Sequence, residues 1–401
     1  MSERSERPYD LVVLGATGFT GQQAAEYIHQ HAPPSLRWAI AGRRPAALTE
    51  VSDRLNGVPA LQVDTLDPEA VDRMVGQTRL VVTTVGPFAR YGSEVVRACA
   101  EQGTDYVDIT GETTWVRAMI DAHQATAEAT GARLVPFSGF DSVPSDLGAW
   151  LVAQACRRDR GCGCTSASGL FSMSGGLNGG TLATMLHMGE HPELRRQMLD
   201  PFLLNPAGTD HDPREHHDPR SAAWSEAHQA WTAPFFMGPI NTRIVRRSEA
   251  LFAGTDDAYG HAFRYQEYLK AKGRLRAQSM LLGIGAAYKL ASMPRGRWLL
   301  RTLGPDPGEG PSEKAMNNGG FTMRLVGEAE DGTRIEGVVR GDGDPGNRST
   351  VRMLCESALL LATQREDLPQ RAGFLTPATA FGQHLVDALT AQGMELRAAA
   401  V

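Results

Sequence analysis

Short apolar runs alternate with amphipathic stretches along the first third of the chain. This is the pattern of a parallel sheet whose strands are joined by crossover helices. Leu11-Val12-Val13-Leu14 predicts a buried strand, and Gln22 to His31 the helix that follows it. Trp38-Ala39-Ile40-Ala41, Leu61-Gln62-Val63, Tyr106-Val107-Asp108-Ile109 and Arg133-Leu134-Val135-Pro136-Phe137 predict further strands. Leu80 to Val85 is apolar without a break until its two threonines, as central parallel strands are. Helical patterns at Pro68 to Val75, Ser93 to Glu101 and Trp115 to Thr130 connect them.

The pattern then changes. Thr165 to Ser174 and Gly320 to Arg340 alternate like antiparallel strands. Between them lie an irregular Pro-, His- and Asp-rich stretch, Asp200 to Arg220, and a basic, partly apolar stretch, Arg274 to Leu303. Two helical patterns, Ser349 to Thr363 and Pro377 to Gln392, close the chain. The expected organisation is an α/β nucleotide domain over 1–146, an α+β domain over 147–346 and a C-terminal segment over 347–401.

The 401 residues exceed one ordinary domain, and 42% hydrophobic with 21% charged residues is a globular composition. Forty Lys and Arg against 46 Asp and Glu give a formal charge of −6, which argues against a general nucleic-acid binder. Five cysteines, an odd number, argue against a disulfide framework. The polar start leaves no room for a signal peptide, and no apolar run is long enough to span a bilayer. A reducing cytoplasm is the expected address.

Gly15-Ala16-Thr17-Gly18-Phe19-Thr20-Gly21 follows the first strand and opens a helix, the context a dinucleotide loop requires. Gly15 suits a tight turn, Gly18 a close backbone approach to a pyrophosphate, and Gly21 close helix–strand packing. The second strand ends in Gly42-Arg43-Arg44 instead of the acidic residue of an NAD site. Two guanidiniums fit a 2′-phosphate, which predicts NADPH. Asp64, at the end of the third strand, is expected on the adenine side, and Gly86-Pro87-Phe88 near the nicotinamide ribose.

There is no P-loop, no G-x-S-x-G elbow and no H-E-x-x-H helix. Tyr268 and Lys272 have the spacing of a reductase acid pair, but on a helix that spacing also describes ordinary surface neighbours. His211, Asp212, His216, His217 and Asp218 sit among prolines and arginines and are expected to form a solvated loop, without a metal.

The Gly15–Gly21 loop, Gly86-Pro87-Phe88 with Tyr91-Gly92, and Tyr106 to Glu112 together resemble the saccharopine dehydrogenase-like reductases. Gly139-Phe140-Asp141-Ser142-Val143-Pro144-Ser145-Asp146 is similar to the branch of the trans-acting enoyl reductases. So are Gly179 to Ala183, Pro307 to Pro311, Gly343 to Gly346 and Leu375 to Ala378, which together span nearly the whole chain. The resemblance implies a Rossmann-type domain, an α+β domain inserted into it, and a C-terminal segment returning to the first domain as packed helices. It also implies NADPH-dependent reduction of an α,β-unsaturated thioester of a polyketide or lipid-like chain, carried by an acyl carrier protein of a polyketide synthase. A homodimer is left open.

Such a reduction needs a hydride, stabilised oxyanion charge and a proton for the α-carbon. Tyr91 and Asp141 are the expected proton donors, and backbone N–H groups near Gly179-Gly180-Thr181 the expected oxyanion donors. Arg295, Arg297 and Arg301 around Trp298-Leu299-Leu300 admit three readings: a face for a carrier protein, a shallow lipid contact, or a solvated helix pair. Two other functions stay open. One is an imine or opine-type reductase; the other is a non-catalytic, lipid-associated nucleotide binder.

Overall fold

Seven parallel strands build the first sheet of the computed structural model, which describes residues 6–174, 186, 190–208, 216–303 and 310–401. They are β1 (Leu11–Leu14), β2 (Trp38–Gly42), β3 (Ala60–Gln62), β4 (Leu80–Thr83), β5 (Asp105–Asp108), β6 (Arg133–Val135) and, from the far end of the chain, β13 (Gly373–Phe374). Their spatial order is β13-β6-β5-β4-β1-β2-β3. The chain therefore winds outward from β1 to β3, returns to β4 and winds the other way. This is the doubly wound dinucleotide-binding order, with its switch point between β1 and β4. β1 and β4 are completely buried, which explains their uninterrupted apolar sequence.

The second sheet is mixed. β7 (Cys164–Ser174), β8 (Ala223–Ser225), β9 (Ala230–Pro234), β10 (Arg264–Ala271), β11 (Gly320–Ala329), β12 (Arg334–Asp342) and β14 (Glu395–Ala400) take the order β14-β12-β11-β7-β10-β9-β8. Only β7 and β10 pair in parallel. The helix Val143–Arg160 packs on β7, β11, β12 and β14. Gly148 there takes Leu325 against its bare backbone, and Gly327 on β11 takes Val152. The helix Gly238–Phe252 lies on Val143–Arg160 and β10.

The chain divides into two units, residues 1–140, 308–310 and 347–388, and residues 141–307, 311–346 and 389–401. The N-terminal segment of the first therefore ends at Phe140, six residues before the expected 146. The tail also differs from the expected single return of 347–401. Its helix Thr350–Thr363 packs on the Phe19–His31 helix and β4, whereas β14 pairs with β12. The predicted Pro377–Gln392 helix is two helices, Pro377–Phe381 and Gln383–Ala391, broken at Gly382.

Two further expectations change. Tyr268 lies on β10, not on a helix, and its hydroxyl donates to Gln266 Oε1 at 2.6 Å. A strand separates Tyr268 and Lys272 along its axis, so they cannot form an (i, i+4) helical pair. The described end of the His- and Asp-rich stretch is packed in part: His216 is buried and Asp218 half-buried, while His217 is exposed. Arg246 donates to the carbonyl of buried His216 at 2.9 Å, and Arg243 pairs with Asp218 at 2.5 Å. These guanidiniums are themselves buried, so their charge is matched by carbonyls and a carboxylate.

Candidate functional site

Every element of the candidate site in the first unit comes from the carboxyl ends of neighbouring strands. Gly15 leaves β1 at φ +88°, a conformation that favours glycine, and its N–H donates to the Ala41 carbonyl at 2.8 Å. A side chain there would also meet Val85 Cγ2 at 2.7 Å. Gly21 is tighter still: a Cβ would lie 2.0 Å from the Gly15 carbonyl oxygen. The Phe19–His31 helix therefore sits directly on the turn that precedes it. Gly18 is its extended N-cap and supplies no side-chain acceptor, so the first-turn N–H groups keep their capacity for an anion. The Phe19 ring lies against Gly310.

Beyond β2, Arg44 Nη2 donates to the Thr17 carbonyl at 3.2 Å, as does Gln22 Nε2 at 3.3 Å. An open groove of about 660 Å³ is lined here by Thr17, Gln22, Arg44, Ala47, Glu50, Val51 and Arg54. Arg43 is exposed and does not line it. The two adjacent arginines are thus unequal: Arg44 is joined to the glycine loop and Arg43 is not. Asp64 is a turn residue. Its Oδ1 accepts the Leu66 N–H at 3.0 Å, and its carbonyl accepts the Asp67 N–H.

After β4 the chain passes through a cis Gly86–Pro87 peptide into a single helical turn, Phe88–Tyr91. Pro87 is its N-cap and has no side-chain acceptor. Glu112 supplies one from 24 residues away: its Oε1 accepts the Phe88 N–H at 2.8 Å and its Oε2 the Ala89 N–H at 3.0 Å. Glu112 is buried, and Thr110 Oγ1 accepts its own N–H. The Phe88 ring tilts over Trp115 with centroids 5.8 Å apart, and Gly92 admits the Trp115 edge at 2.8 Å from where a Cβ would stand. Tyr91 is half-buried beneath the Arg90 guanidinium, which lies 5.0 Å from its ring centre.

Asp108, at the end of β5, is the hub behind this edge. Its carboxylate accepts the Tyr106 hydroxyl at 2.7 Å and the N–H groups of Thr110 and Phe137 at 3.0 Å each. Burial pushes its pKa up to about 7 against the opposite effect of those hydrogen bonds.

Asp141 opens the second unit and is half-buried. Burial raises its pKa to about 6, and among the described residues no hydrogen bond reaches its carboxylate. Ser142, the N-cap of the helix that follows, makes no side-chain cap. Gly179-Gly180-Thr181 lies outside the described residues.

The structure thus gathers Gly15 to Gly21, Arg44 and Gly86-Pro87-Phe88 along neighbouring strand ends of one sheet. The loop fits a dinucleotide: a bare-backbone turn, an uncapped helix N-terminus and a cation at the end of β2. Glu112 went unpredicted as a positioning residue. Its place in the Tyr106–Glu112 run was visible in the sequence, but its partners were not.

Comparison with known proteins agrees. Residues 11–135 match the family described as the saccharopine dehydrogenase NADP binding domain. A Mycobacterium tuberculosis protein named as a trans-acting enoyl reductase is 39% identical over 98% of this chain and 97% of its own length. The trans-acting enoyl reductase of Mycobacterium bovis is 35% identical over 97% of each chain. Among solved structures, saccharopine dehydrogenase from Saccharomyces cerevisiae superposes with a TM-score of 0.52 at 13% identity, covering 98% of this chain and 99% of its own. Homospermidine synthase from Legionella pneumophila gives 0.53 at 11%, covering 98% and 91%.

Proposed function

The chain belongs to the saccharopine dehydrogenase-like reductases, in the branch of the trans-acting enoyl reductases, and is an NADP-binding oxidoreductase. From that premise we propose that it reduces the C=C bond of an α,β-unsaturated thioester of a polyketide or lipid-like chain. The acyl group would arrive on a phosphopantetheine arm, as the substrate of an enzyme acting in trans on a carrier protein. The observation that supports this most is the likeness to enoyl reductases over nearly the full length of both chains.

NADPH supplies the hydride when bound. The residues of this chain bind and orient. Gly15, Gly18 and Gly21, with Thr17, Phe19 and Thr20, form the pyrophosphate cradle, where first-turn N–H groups meet negative charge. Arg44 grips the 2′-phosphate, with Arg43 adding longer-range attraction. Asp64 keeps Oδ2 for the adenine side while Oδ1 holds its turn. Gly86, Pro87 and Phe88 line the nicotinamide end, held in place by Glu112.

A proton must reach the α-carbon as the enolate collapses. Asp141 suits this role because burial keeps a fraction of it protonated near neutrality. Tyr91 is the other donor. Turnover of Asp141→Asn and Tyr91→Phe, measured with NADPH affinity, assigns the role: the true donor loses turnover and keeps the cofactor. Two intact turnovers would remove both from the mechanism. NADPH consumption against enoyl thioesters on pantetheine, coenzyme A and carrier protein tests the substrate class. Consumption with imines alone would overturn it.

A further inference from the structure

We propose that the two helices Arg274–Ser292 and Pro294–Leu303 dock the second unit on an anionic lipid surface. This docking is independent of the reduction itself, and the two helices are unbalanced in charge. Between residues 274 and 303 the chain carries six Arg or Lys and no Asp or Glu. An ordinary solvated helix mixes both signs and gains from (i, i+4) pairs, and these helices have no acidic partner of their own to make one.

The first helix spends only one stripe on the protein. Ala277 and Ala291 are buried, and Met280, Leu281, Ile284 and Ala287 are half-buried where it packs on β9 and β10. Helical spacing puts Leu275, Leu282 and Lys289 on the opposite stripe. Leu275 is 87% exposed, Leu282 73%, and Trp298 on the second helix 67%. These values are unusual for large apolar side chains, and all three fall in one pair of consecutive helices. Gly283 and Gly285 have open space where a Cβ would stand, so among the described residues nothing covers the helix there.

The cations share this surface. Arg297 turns inward and pairs with Glu190 at 3.3 Å. Arg274, Arg276, Lys289 and Arg295 are exposed and, among the described residues, make no ion pair. Apolar side chains are therefore interleaved with unpaired cations, unlike a protein interface, where an apolar centre is ringed by a polar rim. A bilayer interface accepts this arrangement: leucine and tryptophan enter the acyl boundary while lysine and arginine stay at the phosphates. Among the described residues no helix is long and apolar enough to cross a membrane, so the helices would lie on the surface.

Co-sedimentation of the full chain with two kinds of vesicle tests this. One is phosphatidylcholine alone, the other equimolar phosphatidylcholine and phosphatidylglycerol. Binding is expected only to the anionic vesicles, falling as salt rises. Arg276→Gln and Lys289→Gln should each weaken it about five-fold. The double variant Leu282→Glu, Trp298→Glu should abolish it while retaining its melting temperature, NADPH affinity and turnover of soluble thioesters, because both residues are exposed and outside the candidate site. Absence of binding to anionic vesicles at low salt would overturn the proposal. So would binding that the double variant leaves intact, or a face that binds an acidic carrier protein and no vesicle.

Discussion

Glu112 holds the Phe88 N–H at 2.8 Å and, through its other oxygen, the Ala89 N–H, thereby capping a helical turn whose own N-cap is a proline. A buried carboxylate on two amides fixes the turn more firmly than a neutral side chain could. Glu112→Gln replaces one acceptor by a donor and leaves an amide facing it. A loss of about 1–3 kcal/mol in stability is expected, with kcat/KM for NADPH down about ten-fold or more. Thermal melting and steady-state kinetics of the variant check both.

The inequality of the two arginines predicts unequal consequences. Arg44→Ala should raise the Kd for NADPH about ten-fold and barely change that for NADH, because only the 2′-phosphate loses a charge-assisted partner. Arg43→Ala should do much less, since Arg43 does not line the groove beside Thr17. Fluorescence titration of both cofactors against both variants measures the difference, and equal effects would reverse the assignment.

The loop glycines separate packing from ligand binding. Gly21→Ala drives a methyl into the Gly15 carbonyl, so several kcal/mol of stability should go with the cofactor site. Gly18 has ordinary extended angles, and a Cβ there meets only the Gly15 carbonyl oxygen, at 3.3 Å. Gly18→Ala should keep most of the melting temperature and still weaken NADPH. Calorimetry with and without NADPH distinguishes the two cases.

Glu267 gives the fold a pH dependence. It is buried and accepts the Tyr265 hydroxyl at 2.7 Å and the Asn241 amide at 2.9 Å. Burial outweighs these bonds and raises its pKa to about 7 from 4.5. Between those values the folded chain binds more protons than the unfolded one. The contribution is therefore present at low pH and lost as pH rises through about 7. Asp108 acts in the same direction. Glu267→Gln should flatten the fall in unfolding free energy from about pH 5 to pH 8, measured by urea titration, by on the order of 2 kcal/mol. An unchanged slope would place the titration elsewhere.

Catalysis should carry its own pH signature. With Asp141 as proton donor at a pKa of about 6, kcat/KM falls about ten-fold per unit well above that value. The profile of Tyr91→Phe should keep this limb, and that of Asp141→Asn should lose it.

What was legible in the chain was local. The first six strands, the Gly15–Gly21 turn and the Gly86-Pro87-Phe88 strand end follow from patterns a few residues long, because a buried parallel strand and a tight turn each constrain their own sequence. What was hidden depends on partners far along the chain. Glu112 meets Phe88 across 24 residues. Arg243, Arg246 and Arg247 are buried because the carbonyls of Met198, Pro201, Leu204 and His216 accept their guanidinium N–H groups. Tyr268 was read by spacing alone, and spacing cannot separate a helix from a strand until the neighbours at Leu170 and Pro234 are known. The tail divides because β12 presents an edge for β14, a fact about the second sheet that no residue of the tail records.

Reduction of an unsaturated thioester by this chain requires that hydride reach the β-carbon. The direct test is reduction of an enoyl-pantetheine thioester with NADPH deuterated at nicotinamide C4, followed by mass spectrometry and NMR of the product. A saturated thioester with one deuterium at the β-carbon is expected, formed faster with NADPH than with NADH. Deuterium on a carbon bonded to nitrogen in an imine substrate, with the thioester recovered unchanged, would contradict it.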